Sequence, residues 1–181
     1  MGERSVKAED DGSTIGGGGL PTTNNPYVLF RTSPLIPKIL TSTIEATDAN
    51  FGDIQLLDSS RQALRIVAHH GFDTDFVTFF ETVSNGSLCC AQAMKQRSRV
   101  IVSDIASDPL LQDTQARDLI LRSRIHTCQS TPMITSSGEL IGVASTHFDR
   151  PRVFSRRVLQ RVDEVISTFV ALLTSKPRTA D

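Results

Sequence analysis

The sequence has no tryptophan and one tyrosine, Tyr27, which precedes the strongly patterned part of the chain. That removes the usual aromatic platforms for stacking sugars or bases. Cysteine is scarce. Cys89, Cys90 and Cys128, two of them adjacent, form neither a disulfide framework nor a zinc spacing, and they fit a reducing compartment. An excess of either charge is missing too: a formal net charge of −1 over 181 residues gives no pull toward nucleic acid or an anionic membrane. No apolar run is long enough to span a bilayer, and the N-terminus lacks the apolar core of a secretory signal, so a cytoplasmic location is expected. Val6 stands where a myristoylation motif needs Ser or Thr.

What is present is one domain's worth of patterned sequence. Residues 1–32 hold the run Gly16 to Gly19, an acidic patch at Glu9, Asp10 and Asp11, and little apolar surface, so they read as a flexible N-terminal tail. The glycine run lacks the Gly-Lys-Ser/Thr ending of a phosphate loop. The domain is expected over residues 33–175, followed by a short tail at 176–181.

Two hairpins dominate that domain. Residues 129–134 and 140–148 flank Ser-Ser-Gly-Glu, with a two-residue turn expected at Ser137 and Gly138. This pairing sets Ser130 beside Ser145 and Cys128 beside His147. Gly142 and Ala144 then share one face, where a helix can come close. Val143, Ser145 and His147 share the other, and a half-polar face inside a buried sheet points to a cavity. The second hairpin spans residues 51–58 and 63–69, with Asp53 and Gln55 alternating against Ile54 and Leu56.

The helices follow from the 3.6-residue period. Ser33-Pro34 opens one with Ile36, Ile39, Leu40, Thr43 and Ile44 on a stripe. Phe76, Phe79, Phe80 and Val83 predict a short helix across the sheet. Ser87 is the expected N-cap of a helix over residues 88–97, whose free amides offer an anion site. Residues 99–102 read as a strand, and Asp104, Asp108 and Asp113 as turn caps before a helix over 114–124. Ser155 caps a final helix to about residue 176, with a heptad-like seam of Val158, Val162, Val165, Phe169 and Leu172. The seam is expected to pack on the sheet and on either the first helix or a second copy, the alternative being burial wholly within its own domain.

The motifs Asn50-Phe-Gly-Asp-Ile-Gln-Leu-Leu-Asp58 with Leu64-Arg-Ile-Val-Ala-His-His-Gly71, Ile101-Val-Ser-Asp-Ile-Ala-Ser-Asp-Pro109, and Gln129-Ser-Thr-Pro-Met133 with Gly138-Glu-Leu-Ile-Gly-Val143, taken in this order, resemble a GAF domain, a small-molecule sensor module of signalling proteins. The resemblance implies an α+β, PAS-like fold: a central antiparallel sheet with the first and last helices on one face and short helices and loops over a pocket on the other. His147 sits where phytochrome-like members place a histidine, but the Cys-His pair that marks a bilin is absent, and no cyclic-nucleotide signature is recognisable. Cys89 or Cys90 resembles the helix-start cysteine of the free methionine-(R)-sulfoxide reductases, where a helix dipole favours a thiolate. Their catalytic loop cysteine has no counterpart, Cys128 lying inside a strand.

The resulting expectation is a stand-alone, non-enzymatic sensory domain. It binds a small polar or anionic metabolite through Asp53, Gln55, Ser87, Cys90, Cys128, Ser130, Ser145 and His147, with no metal and with the identity of any cofactor open. Adjacent His69 and His70 point to opposite faces and cannot chelate together. Output is expected through a homodimer of the first and last helices, or through a histidine kinase or response regulator. The competing readings are a ligand-free interaction module and a thiol-dependent reductase.

Overall fold

A computed structural model describes residues 24–84, 86–109 and 111–175. Most of the expected N-terminal tail, the C-terminal tail and Asn85 of the expected turn lie outside these residues. The elements in chain order are α1 (Pro26–Phe30), α2 (Leu35–Thr47), β1 (Phe51–Asp58), β2 (Ala63–His70), α3 (Thr74–Phe79), β3 (Thr82–Val83), α4 (Cys89–Gln96), β4 (Val100–Val102), α5 (Gln115–Arg122), β5 (Thr127–Ile134), β6 (Leu140–Phe148) and α6 (Arg156–Thr174). The strands form one antiparallel sheet in the order β3-β2-β1-β6-β5-β4. The two expected hairpins are its backbone, joined through β1 and β6. Every residue of β6 is buried because the strand is covered on both faces and paired on both edges.

One face carries α2 and α6. Ile36, Ile39 and Leu40 meet Ile54, Leu56, Met133, Ile141 and Ala144 of the sheet and Val162, Ile166 and Val170 of α6. Burying each such side chain contributes about 1.5–3 kcal/mol, so this layer fixes the two helices on the sheet. Here the expected heptad seam shifts. Leu172 is 51% exposed, and the buried stripe of α6 steps by four through Val162, Ile166 and Val170. The helix lies on a sheet and a neighbouring helix, and an α-helix presents an i, i+4 ridge to such a surface rather than a supercoiled seam. Beneath its first half, the sheet face is also polar. Thr146 donates to Gln129 Oε1 at 3.2 Å, Gln129 and Arg99 both donate to Thr131, and Arg99 also reaches the Leu159 carbonyl and the Asp163 carboxylate.

The hairpin register matches the expected pairs, Cys128 with His147 and Ser130 with Ser145, although the turn does not match. Thr135 pairs with Glu139 around a three-residue loop, in which Gly138 has φ +84° and donates to the Thr135 carbonyl at 2.9 Å. The longer loop shifts the register by one residue. The jump from Met133–Gly142 to Ile134–Leu140 shifts it back, leaving Ile141 as the extra residue. Gly142 is needed for a different reason than expected. A Cβ there would lie 2.1 Å from the Gln55 carbonyl oxygen and 2.7 Å from Met133 Cε, so it is strand β1, not a helix, that comes close. The glycine under a helix is Gly52, where a Cβ would sit 3.0 Å from Ile44.

Two further expectations change. Val83 leaves the phenylalanine helix, which ends at Phe79, and pairs with Leu64 as part of edge strand β3. Within the stretch expected to be a tail, Pro26–Phe30 form α1. Buried Asn25 anchors that helix: its Nδ2 donates to Asp58 Oδ1 at 2.8 Å, while its Oδ1 accepts from Tyr27 N and Ser59 N. The Arg65 guanidinium lies 4.0 Å over the Tyr27 ring and 3.5 Å from Asp58 Oδ2. An apolar count misses this clasp, which is built from polar groups.

The Asp58 carboxyl is lowered from 3.8 to about 2, chiefly by the Ser60 hydroxyl and then by Asn25 and Arg65, against a smaller opposing effect of burial. A depressed folded-state value means the clasp stabilises fully above the ordinary carboxylate range and is lost as pH falls from about 4 toward 2. Thermal unfolding should therefore show Asp58→Asn less stable than wild type at pH 7, with the gap closing between pH 4 and pH 2. A gap that is constant with pH would remove Asp58 ionisation as its source.

Candidate functional site

The face opposite α2 and α6 is covered by α3, α4, α5 and the segment between β4 and α5, and between these and the sheet lies a cavity of about 40 Å³. That is room for a few water molecules or a compact ligand. The floor is polar, with Asp53 and Gln55 from β1, Cys128 and Ser130 from β5, and Ser145 and His147 from β6. Phe76, Phe80, Ile105, Leu111 and Ile120 form apolar walls, and Leu88, Cys89 and Cys90 enter from the start of α4. Alternation along three adjacent strands gathers the six floor residues, since pairing sets Asp53 opposite Ser145 and Ser145 opposite Ser130.

Seven of the eight anticipated residues line this cavity; the exception is Ser87. Ser87 also fails as the N-cap. Leu88 occupies that position, and α4 starts at Cys89 without a side-chain cap. Cys89 was expected only as an alternative to Cys90 at the helix start, and of the apolar walls only the phenylalanine helix was expected across the sheet. The remaining walls, Ile105, Leu111 and Ile120, come from loops and a helix whose docking no local period reveals.

The floor holds one ion-pair geometry and one hydroxyl pair. His147 Nε2 lies 3.0 Å from Asp53 Oδ2, its ring edge-on to Phe72 at 5.2 Å between centroids. Ser130 Oγ and Ser145 Oγ are 2.8 Å apart, with Cys128 Sγ 3.7 Å from Ser130 Oγ. Two acceptors are left over. Asp53 Oδ1 and Gln55 Oε1 are buried without a hydrogen-bond partner, on residues that are 5% and 2% exposed. Such an orphan costs about 1–3 kcal/mol when nothing satisfies it.

The three thiols are free and sit in an environment without a lining Lys or Arg. Burial, reinforced by the negative charge of Asp53, pushes Cys90 far above the ordinary thiol range. Cys128 is raised by its hydrogen bond to Cys89 and by burial. Cys89 is the sulfur of that pair that ionises first, because hydrogen bonds from Cys128, and secondarily Ser130, favour its thiolate against burial. In the ground state Cys89 donates to the Val100 carbonyl at 3.2 Å. No group of three or more His, Cys, Asp or Glu side chains among the described residues is placed to hold a metal ion.

An antiparallel sheet with α2 and α6 on one face and a cavity with a polar floor on the other is an α+β architecture. The family model for the GAF domain matches residues 35–173, and the chain belongs to that family. Solved structures agree on the fold. A domain of a two-component sensor histidine kinase protein from Sinorhizobium meliloti 1021 is 17% identical, with 77% of this chain and 88% of that one covered and a TM-score of 0.63. A GAF domain/HD domain protein from Geobacter sulfurreducens is 14% identical over 77% and 90% of the two chains, also at 0.63. The free methionine-R-sulfoxide reductase from Neisseria meningitidis, solved with its substrate, is 15% identical over 82% of each chain at 0.57. No curated protein sequence matches. Among the described residues, no helix is long and apolar enough to cross a membrane.

The thiol environment gives a direct expectation. At pH 8, iodoacetamide should leave the buried Cys89 and Cys128 unmodified in the folded protein, the half-buried Cys90 reacting slowly at most because its thiol stays protonated, and intact mass should show three additions only after unfolding in urea. Rapid native labelling of Cys89 or Cys128 would contradict the burial described.

Proposed function

We propose that this chain is a non-enzymatic sensory domain whose cavity takes a compact, hydrogen-bond-donating ligand, neutral or cationic. The observation that carries this reading is the pair of orphan acceptors, Asp53 Oδ1 and Gln55 Oε1, on two residues that line the cavity. A donor-rich group such as an ammonium or amide offsets their desolvation cost and adds a charge-assisted bond to the carboxylate. The anionic ligand expected at first is set aside: the lining holds a carboxylate and no Lys or Arg to meet an anion. His147 is already engaged by Asp53.

Signalling on this reading passes through the strands. Asp53 and Gln55 alternate with Ile54 and Leu56, and Ser145 follows Ala144, so the residues beneath the ligand are immediate neighbours of those that seat α2 and α6. A ligand that prefers one strand arrangement biases the helix layer by its differential affinity. A homodimer through α2 and α6, or a histidine kinase or response regulator, would read that bias; the kinase-derived neighbour supports this partner class. Cys89 is the one thiol whose ionisation is favoured, but no cation lines the cavity to hold a thiolate and its neighbour Cys128 is raised and lies inside a strand, which argues against thiol catalysis.

Thermal denaturation tests the reading. Near-saturating methylammonium, ethylamine or acetamide should raise Tm by about 5–10 °C for the best-fitting probe, with acetate inert. Gln55→Met should abolish that shift while leaving the ligand-free Tm equal or higher, because it deletes an unsatisfied oxygen. If no donor probe shifts Tm, and if Gln55→Met lowers it in their absence, the cavity is filled and the domain is an interaction module.

A further inference from the structure

We propose that the turn between β6 and α6, together with the first two turns of α6, is a docking surface for an acidic segment of a partner protein carrying an apolar residue among its carboxylates. Between residues 150 and 161 the chain places five arginines, Arg150, Arg152, Arg156, Arg157 and Arg161, with no acidic residue and no lysine. Every one except Arg152 is exposed. Among the described residues Arg156, Arg157 and Arg161 have no ion pair or hydrogen bond from their side chains. Arg150 has only Asp149 at 3.7 Å, with its side chain 79% exposed. The carboxylates that follow the run on α6 do not neutralise it: Asp163 is taken by Arg99, and Glu164 makes no ion pair with these arginines among the described residues. Arg152 is held by its stack on Phe148 at 4.7 Å and by its bond to the Asp48 carbonyl, so it braces the turn.

Local stability does not explain this arrangement. A helix N-terminus carries the positive end of the backbone dipole and favours Asp or Glu, yet the first turn of α6 has no acidic residue and two adjacent arginines. A locally unfavourable pattern without a compensating internal contact points to a use outside the chain. The exclusive use of arginine favours planar, bidentate partners such as carboxylates. Val153 sits in the middle of the turn at 87% exposure, well above the other exposed large apolar side chains. One valine anchors too little for a membrane, where reversible binding already needs a long acyl chain or several basic residues in addition. Duplex or single-stranded nucleic acid finds no stacking ring exposed within the arginine run, and the net charge is −1. A protein segment that pairs carboxylates with the arginines and covers Val153 fits both features. The surface begins two residues after Phe148, on the strand that carries Ser145 and His147 to the cavity floor, but its existence does not depend on a ligand there.

Fluorescence anisotropy with a short labelled Glu/Asp peptide bearing one central leucine, and with its serine counterpart, tests the proposal in low salt. The wild type should bind the leucine peptide more tightly than the serine one, and Val153→Ser should erase that preference. Arg157→Ala/Arg161→Ala should weaken binding about tenfold, whereas Lys38→Ala/Arg31→Ala, which removes the same charge elsewhere, should leave it unchanged. Arg156→Glu/Arg157→Glu should abolish binding while raising Tm by about 1–4 °C, because it corrects the helix charge pattern. Equal loss in the control variant, no binding at all, or binding only to phosphatidylserine vesicles or to duplex DNA would overturn the proposal. So would a fall in Tm for the double glutamate variant, which would make the arginines structural.

Discussion

The structure depends on the pairing of β1 with β6. These two strands join the hairpins, and each is covered on both faces, so a single register decides which side chains enter the helix core and which enter the cavity. A slip of one residue would send Asp53, Gln55 and Ser145 into the layer of Ile36, Ile39 and Val162 and bring Ile54 and Ala144 over the cavity. Gly142 is the steric guard of this register, since the Gln55 carbonyl occupies the space a Cβ would need. The loop at Gly138 and the extra residue at Ile141 offset one another, which leaves the β5–β6 pairing in the phase that β1 requires.

Polarity on a buried sheet does not by itself make a site. Both faces of β5 and β6 carry buried polar residues. Under α6, Gln129, Thr131 and Thr146 satisfy one another with help from Arg99, and that layer is closed. On the other face, Ser130 and Ser145 are paired and His147 meets Asp53, but one oxygen of Asp53 and one of Gln55 have no partner. Incomplete satisfaction distinguishes the two faces, and the hydrogen-bond donor that the proposed ligand brings follows from it, since orphan acceptors call for a donor.

Charge placement at the molecule's edge carries the same kind of information. Ser155 caps α6 in the ordinary way, its hydroxyl accepting from Val158 N, so the start of this helix is structurally sound. The arginines that follow oppose the dipole of that well-formed helix start. At Asp58, by contrast, the charge is fully committed inside the fold, to Ser60, Asn25 and Arg65. Charges that close a local network belong to stability, whereas those that leave a network open mark surfaces where another molecule can complete it.

Strand alternation and helical spacing were enough to place both hairpins, the central strand and the capped final helix, and the pairing of Ser130 with Ser145 came out as expected because the longer loop and the extra residue at Ile141 cancel. Alternation was also enough to collect the polar floor of the cavity, since adjacent strands in known register leave little freedom. Tertiary structure decided the rest. The α1 clasp depends on Asn25 meeting Asp58 across 33 residues, Val83 was claimed by the edge of β2 rather than by its own helix, and the α6 stripe followed the surface it met. Above all, which buried oxygens lack partners depends on the positions of every surrounding group at once, and that information exists only when the chain is folded.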